Sequence, residues 1–143
     1  PPLLCYRRQR QMCIRDRSER GVLSGDFDVV AQLRELKNLG VSLSIDDFGT
    51  GDSAIAYLRE LPIDVLKIDR SYIADMTEND KDAALVSAMI ALGQRLDLMV
   101  IAEGVETQEQ LTALRKLECD AFQGFLLSQA VSAQAFVALL KKP

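Results

Sequence analysis

The side chains able to do chemistry in this 143-residue chain gather at the ends of short apolar runs. Asp46 and Asp47 follow VSLSI at 41–45, Lys67 and Asp69 lie in and just after VLKI at 65–68, Glu103 follows LMVIA at 98–102, and Gln123 lies within AFQGF at 121–125. Adjacent carboxylates repel, and holding both at a strand end is costly unless a cation or proton compensates. Asp46 and Asp47 therefore point to a hard divalent metal such as Mg²⁺ or Mn²⁺. Glu103 could join them as a ligand or hold a water as general base. Lys67 suits a phosphate oxygen or a metal-activated nucleophile, and Gln123 could orient a substrate through its amide. The set as a whole fits metal-assisted phosphoryl chemistry. The plainer alternative for each residue is a strand end emerging into water, with Lys67 in a surface ion pair to Asp69 or Asp64. The chain has no histidine, which excludes a histidine general base, a Ser-His-Asp triad and a histidine-ligated zinc site.

These residues act together only if the fold gathers them. Phe27, Val30, Leu33 and Leu36 repeat at helical spacing before Gly40, and the strand VSLSI follows. A second helix is predicted through SAIAYLREL up to Pro62, then the strand VLKI. The longest helix carries Leu85, Met89, Leu92 and Leu96 as its buried stripe. After the apolar strand LMVIA, Thr107 and Gln110 predict a capping box for a helix burying Leu111, Leu114 and Leu117. AFQGF is the last strand, and Ser132 caps a terminal helix expected to turn Phe136, Val137 and Leu140 inward. The order is one helix, then strand and helix four times. That predicts an α/β fold with parallel strands, either an open doubly wound sheet or part of a (β/α)8 barrel, and both bind ligands at the carboxyl ends of their strands.

A competing pattern runs through the first turn. Gly49-Thr50-Gly51-Asp52-Ser53-Ala54 matches G-x-G-x-x-A between a strand and a helix, and Asp69 lies 20 residues beyond Gly49. That would mean a metal-independent dinucleotide binder such as an NAD site, but Asp46, Asp47 and Asp52 surround the turn with negative charge, which opposes a pyrophosphate. Asp47-Phe48-Gly49 also matches a kinase metal loop, without the H-R-D loop or glycine loop that would accompany it.

IDDFGTG at 45–51, LKIDRSYI at 66–73, IAEGVET at 101–107 and FQGFLLS at 122–128 resemble, in order, four motifs of the EAL domain family, metal-dependent phosphodiesterases that linearise cyclic di-GMP. The resemblance implies that residues 18–143 are the C-terminal half of a (β/α)8 TIM-type barrel, its last four βα units, and that such a fragment is inactive alone. It implies Asp46, Asp47 and Glu103 as ligands of Mg²⁺ or Mn²⁺, Glu103 and Lys67 as catalytic residues at the hydrolytic water, and Gln123 and Asp69 as substrate contacts. Phe48, Gly49, Thr50, Gly51, Glu106 and Glu19 would couple the loop after the first motif to catalysis, and domains of this kind would pair as homodimers. Asp52 and Ala54 stand where the family's loop has tyrosine and serine, and Gln129 and Ala130 where it has a basic residue and proline. A non-catalytic module that binds cyclic di-GMP or a protein partner is the alternative.

Composition sets the bounds. Apolar residues are 48% of the chain and charged ones 27%, as in globular proteins, and no apolar run reaches the ~18 residues of a membrane span. Residues 1–20 hold six arginines against Asp16 and Glu19, whereas the remainder is acidic. The head, residues 1–17, lacks strand or helix periodicity and reads as an unrelated or artefactual segment. Three cysteines form no disulfide framework. Neither a nucleic-acid polymer nor a membrane is an expected partner, and a cytoplasmic setting is expected even if the parent protein carries a membrane anchor.

Overall fold

The computed structural model describes residues 11–13, 27–50 and 58–139. Five strands form one wholly parallel sheet in sequence order: β1 (Gln11–Cys13), β2 (Ser42–Phe48), β3 (Val65–Ile68), β4 (Met99–Glu103) and β5 (Ala121–Gln123). Helix α1 (Phe27–Asn38) lies between β1 and β2, α2 (Arg70–Asp75) and α3 (Asp80–Arg95) between β3 and β4, α4 (Gln108–Lys116) between β4 and β5, and α5 (Ala133–Leu139) after β5. Parallel strands need helical crossovers, which cover the sheet and explain why β3 and β4 are nearly all apolar. Leu66, Ile68, Val100 and Ala102 are fully buried and share one core with Ile73, Val86, Ile90, Val105 and Leu114. No helix among the described residues is long and apolar enough to cross a membrane.

Several expectations shift. Gln11–Cys13 lies in the head set apart above, yet pairs in parallel with Ser42–Ser44, giving five strands rather than four. Ladder pairing uses backbone groups alone, so it asks nothing of side-chain periodicity. In α3 the buried residues are Val86, Met89, Ile90 and Gly93, while Leu85 and Leu96 are exposed. A Cβ at Gly93 would overlap the Val100 side chain, so the helix approaches β4 over its smallest residue, with Leu92 packed against the core beside it and Leu85 and Leu96 turned outward. Phe136 and Val137 of α5 are exposed at 45% and 51%, not turned inward. Among the described residues β5 is the last strand on that side, leaving the helix no further strand to cover. Leu140 and residues 53–57 of the second predicted helix lie outside the described residues, with 58–60 helical at its end. The short helix α2 was not anticipated.

The amino ends of the strands are pinned twice in the same manner. Asp64, just before β3, accepts the Leu43 N–H at 2.9 Å and pairs with Lys37. Asp120, just before β5, accepts the Val100 N–H at 2.8 Å. In each case a carboxylate preceding one strand satisfies a backbone donor of the strand before it.

Candidate functional site

At the opposite, carboxyl ends the sheet collects the polar residues. The β2–β3 register slips between Ile45 and Phe48, and Asp46 and Asp47 occupy that irregularity. Such a bulge re-aims side chains at a strand end. Asp47 takes a left-handed conformation (φ 52°), which aspartate tolerates better than most residues. Glu103 and Gln123 close β4 and β5 as register partners, so their side chains meet: the Gln123 amide donates to Glu103 Oε1 at 2.7 Å.

Lys67, on β3 between β2 and β4, donates to Asp46 Oδ1 at 2.8 Å and pairs with Glu103 Oε1. The three side chains are only 10–14% exposed. Burial alone would lower the lysine's pKa, but the hydrogen bonds and charges of Asp46 and Glu103 outweigh it and raise the value. Lys67 is thus a fixed cation that donates, not a proton acceptor near neutral pH. Its partners are Asp46 and Glu103, not the Asp64 or Asp69 of the surface-pair alternative.

Asp46, Asp47 and Glu103 each offer a carboxylate oxygen within 4.8 Å of the others. The Lys67 ammonium pairs with two of these three partly buried carboxylates, and oxygen donors in excess negative charge are what a hard divalent cation selects. The donor set therefore fits Mg²⁺ or Mn²⁺.

Asp69 has a structural task. It caps α2, accepting from the Ser71 N–H at 2.9 Å and the Ser71 hydroxyl at 2.5 Å. Burial would raise its pKa, yet these donors, with smaller contributions from Asp47 and the Arg70 amide, bring it below the ordinary carboxylate value. Phe48 is buried in the core. Thr50 donates its hydroxyl to Asp47 O at 2.8 Å, and Gly49 has φ 101°. Glu106 is exposed, and its backbone N–H donates to Gln110 Oε1 at 2.8 Å. Gly51 and Glu19 lie outside the described residues.

Two positions matter more than their spacing indicated. Gln110 does close the predicted capping box, but its Nε2 also donates to Ile73 O and Ala74 O at 3.1 and 3.2 Å. One buried amide thus ties the loop after β4 to the end of α2. At Gly124 a Cβ would overlap the Val105 backbone. The Val105 N–H bonds Gln123 O, and Val105 O accepts from Leu126 N–H, each at 3.0 Å, which fixes Gln123 against the Glu103 loop. A capping-box glutamine, and a glycine directly after a strand-end glutamine, are the sequence signals for these contacts.

Residues 18–130 match the EAL domain family. The cyclic di-GMP phosphodiesterase NbdA of Pseudomonas aeruginosa is 50% identical over 109 residues, which are 76% of this chain and 14% of that protein. The crystal structure of the EAL domain of Mycobacterium smegmatis DcpA superposes with a TM-score of 0.80 at 38% identity, covering 91% of this chain and 56% of that one. The manganese/cy-diGMP complex of Klebsiella pneumoniae BlrP1 gives a TM-score of 0.71 at 30% identity, over 83% of this chain and 29% of that one. The chain thus spans about one-seventh of the NbdA relative and just over half of the DcpA domain chain.

Proposed function

Because this chain belongs to the EAL domain family, we propose that it carries the carboxyl-terminal share of a metal-dependent site that hydrolyses cyclic di-GMP to linear pGpG. The observation that supports this best is the gathering of carboxylate oxygens of Asp46, Asp47 and Glu103 within 4.8 Å of one another, with the Lys67 ammonium paired to Asp46 and Glu103. Asp46, Asp47 and Glu103 would hold Mg²⁺ or Mn²⁺, which when bound makes water a stronger nucleophile and neutralises charge on the phosphoryl oxygens. Lys67 keeps its proton, so it orients Asp46 and Glu103 and offers positive charge to the phosphodiester. Glu103, which accepts from Lys67 and Gln123, would take the water's proton as the new P–O bond forms and the bond to the leaving 3′-oxygen breaks. Gln123 contacts the substrate by its amide. Asp69 acts by starting α2 and directs the helix that follows Lys67.

Full turnover is proposed to need the part of an EAL domain outside the matched half. The test titrates the chain with Mn²⁺ and cyclic di-GMP by calorimetry and resolves pGpG by chromatography, beside Asp46→Asn and a chelator control. Metal-dependent binding lost in both controls supports the reading, and pGpG formation would identify a site complete in this chain. Binding that survives chelation, or no binding of either ligand, refutes it.

A further inference from the structure

The end of β2 and the turn that follows it place a non-glycine residue, Asp47, at φ 52° and Gly49 at φ 101° within three positions. Glycine adopts such a φ freely, but the conformation of Asp47 persists only where the surroundings over-determine it. One restraint is local: the Thr50 amide and hydroxyl both donate to Asp47 O. A second comes from another element. Tyr72 of α2 donates its hydroxyl to Gly49 O at 2.5 Å. Its ring lies against Gly49 so closely that a Cβ there would stand 2.8 Å from Tyr72 Cε2 and 2.7 Å from Met89 Cε.

The geometry assigns Tyr72 as a positioning residue: its hydroxyl ties the Asp46–Asp47 turn to the helix that follows Lys67 and so sets the carboxylates against the ammonium. The ring belongs to the core packing, since Tyr72 lies against the main buried cluster. The hydroxyl instead donates to a carbonyl of the turn itself. α2 is itself held at both ends, by Asp69 at its start and by Gln110 on Ile73 O and Ala74 O near its finish. It is therefore a fixed arm from which to hold the turn. This role rests on the metal reading above.

Tyr72→Phe removes the hydroxyl and keeps the ring. Three quantities are compared with wild type: the thermal midpoint, the hydrogen-exchange rate of the Thr50 amide by NMR, and the affinity for Mn²⁺ alone by EPR, with Asp46→Asn as the binding control. A midpoint within about 3 °C shows the core intact, while Thr50 exchange about fivefold faster and a Mn²⁺ dissociation constant about fivefold higher match the loss of one hydrogen bond. Thr50→Val, which loosens the same turn through Asp47 O, should weaken Mn²⁺ in the same sense. Faster exchange with unchanged Mn²⁺ affinity overturns the positioning role and leaves the hydroxyl a packing detail, and unchanged exchange overturns it outright. A wild-type chain that holds no Mn²⁺ overturns the metal reading first, and the positioning role with it.

Discussion

Gln110→Glu is the most informative single change to the scaffold under the site. The wild-type amide is 4% exposed and makes four backbone hydrogen bonds. It accepts from the Glu106 and Thr107 N–H groups at 2.8 and 3.0 Å and donates to Ile73 O and Ala74 O. A carboxylate keeps the two acceptor bonds, loses both donor bonds, and turns an anionic oxygen toward two carbonyls. Two lost bonds at about 1 kcal/mol each, with a charge facing Ile73 O beside a wholly buried residue, give a cost of about 2–3 kcal/mol at pH 7. For a domain of this size that lowers the melting temperature by roughly 6–10 °C. The Glu106 and Thr107 N–H groups favour the ionised form, but burial at 4% exposure and the two facing carbonyls outweigh them, so the introduced carboxyl is less acidic folded than unfolded. A raised folded pKa gives stability that is present below the unfolded value, about 4.3, and lost as pH rises through the folded value. The melting deficit should therefore shrink toward pH 4 and be largest at pH 8, read by circular dichroism against wild type at each pH. Gln110→Ala, which strands all four groups, should lose at least as much with no such pH dependence. A Gln110→Glu protein melting within about 2 °C of wild type at pH 8 would refute the account of α2 as anchored through this amide.

Lys67→Met should lower thermal stability yet tighten Mn²⁺ binding by about tenfold, because it removes the cation that competes for the three carboxylates. Since the Lys67 pKa is raised from 10.5, wild type should also lose stability as pH climbs above that value, an alkaline loss that the variant lacks. Asp69→Ala should cost about 1 kcal/mol at neutral pH in chemical denaturation as a lost N-cap. The Asp69 pKa is lowered from 3.8, so its stabilisation is present above that value and the gap to wild type should close as pH falls below it.

Much of this arrangement is legible from residue order. Apolar runs ending in Asp46-Asp47, Lys67, Glu103 and Gln123 identify parallel strands and the rim where their chemistry collects, and Thr107 with Gln110 marks the start of α4. Periodicity failed where size and closeness compete. In α3 the leucines promise a stripe, but Gly93 is what meets Val100, and close approach rewards the smallest side chain. Long-range partners were hidden as well. Nothing local to Lys67 favours Asp46 and Glu103 over Asp64, because Asp64 is claimed by Leu43 and Lys37 only once β2 and β3 lie side by side. The bond from Tyr72 to Gly49 spans 23 residues and likewise exists only in the folded sheet.

The paired aspartates at the other rim, Asp64 and Asp120, divide labour along each strand. Both fasten one strand to its predecessor through a backbone N–H, and neither touches the residues gathered at the carboxyl ends. Strand order is thus secured by contacts indifferent to what the opposite rim does. The rim that carries Asp46, Lys67 and Glu103 is left free to drift by substitution, toward new ligands or lost activity, without unlacing the sheet beneath it. Natural variation that inactivates such a site should therefore leave folded, expressible proteins behind, available for recruitment to other tasks.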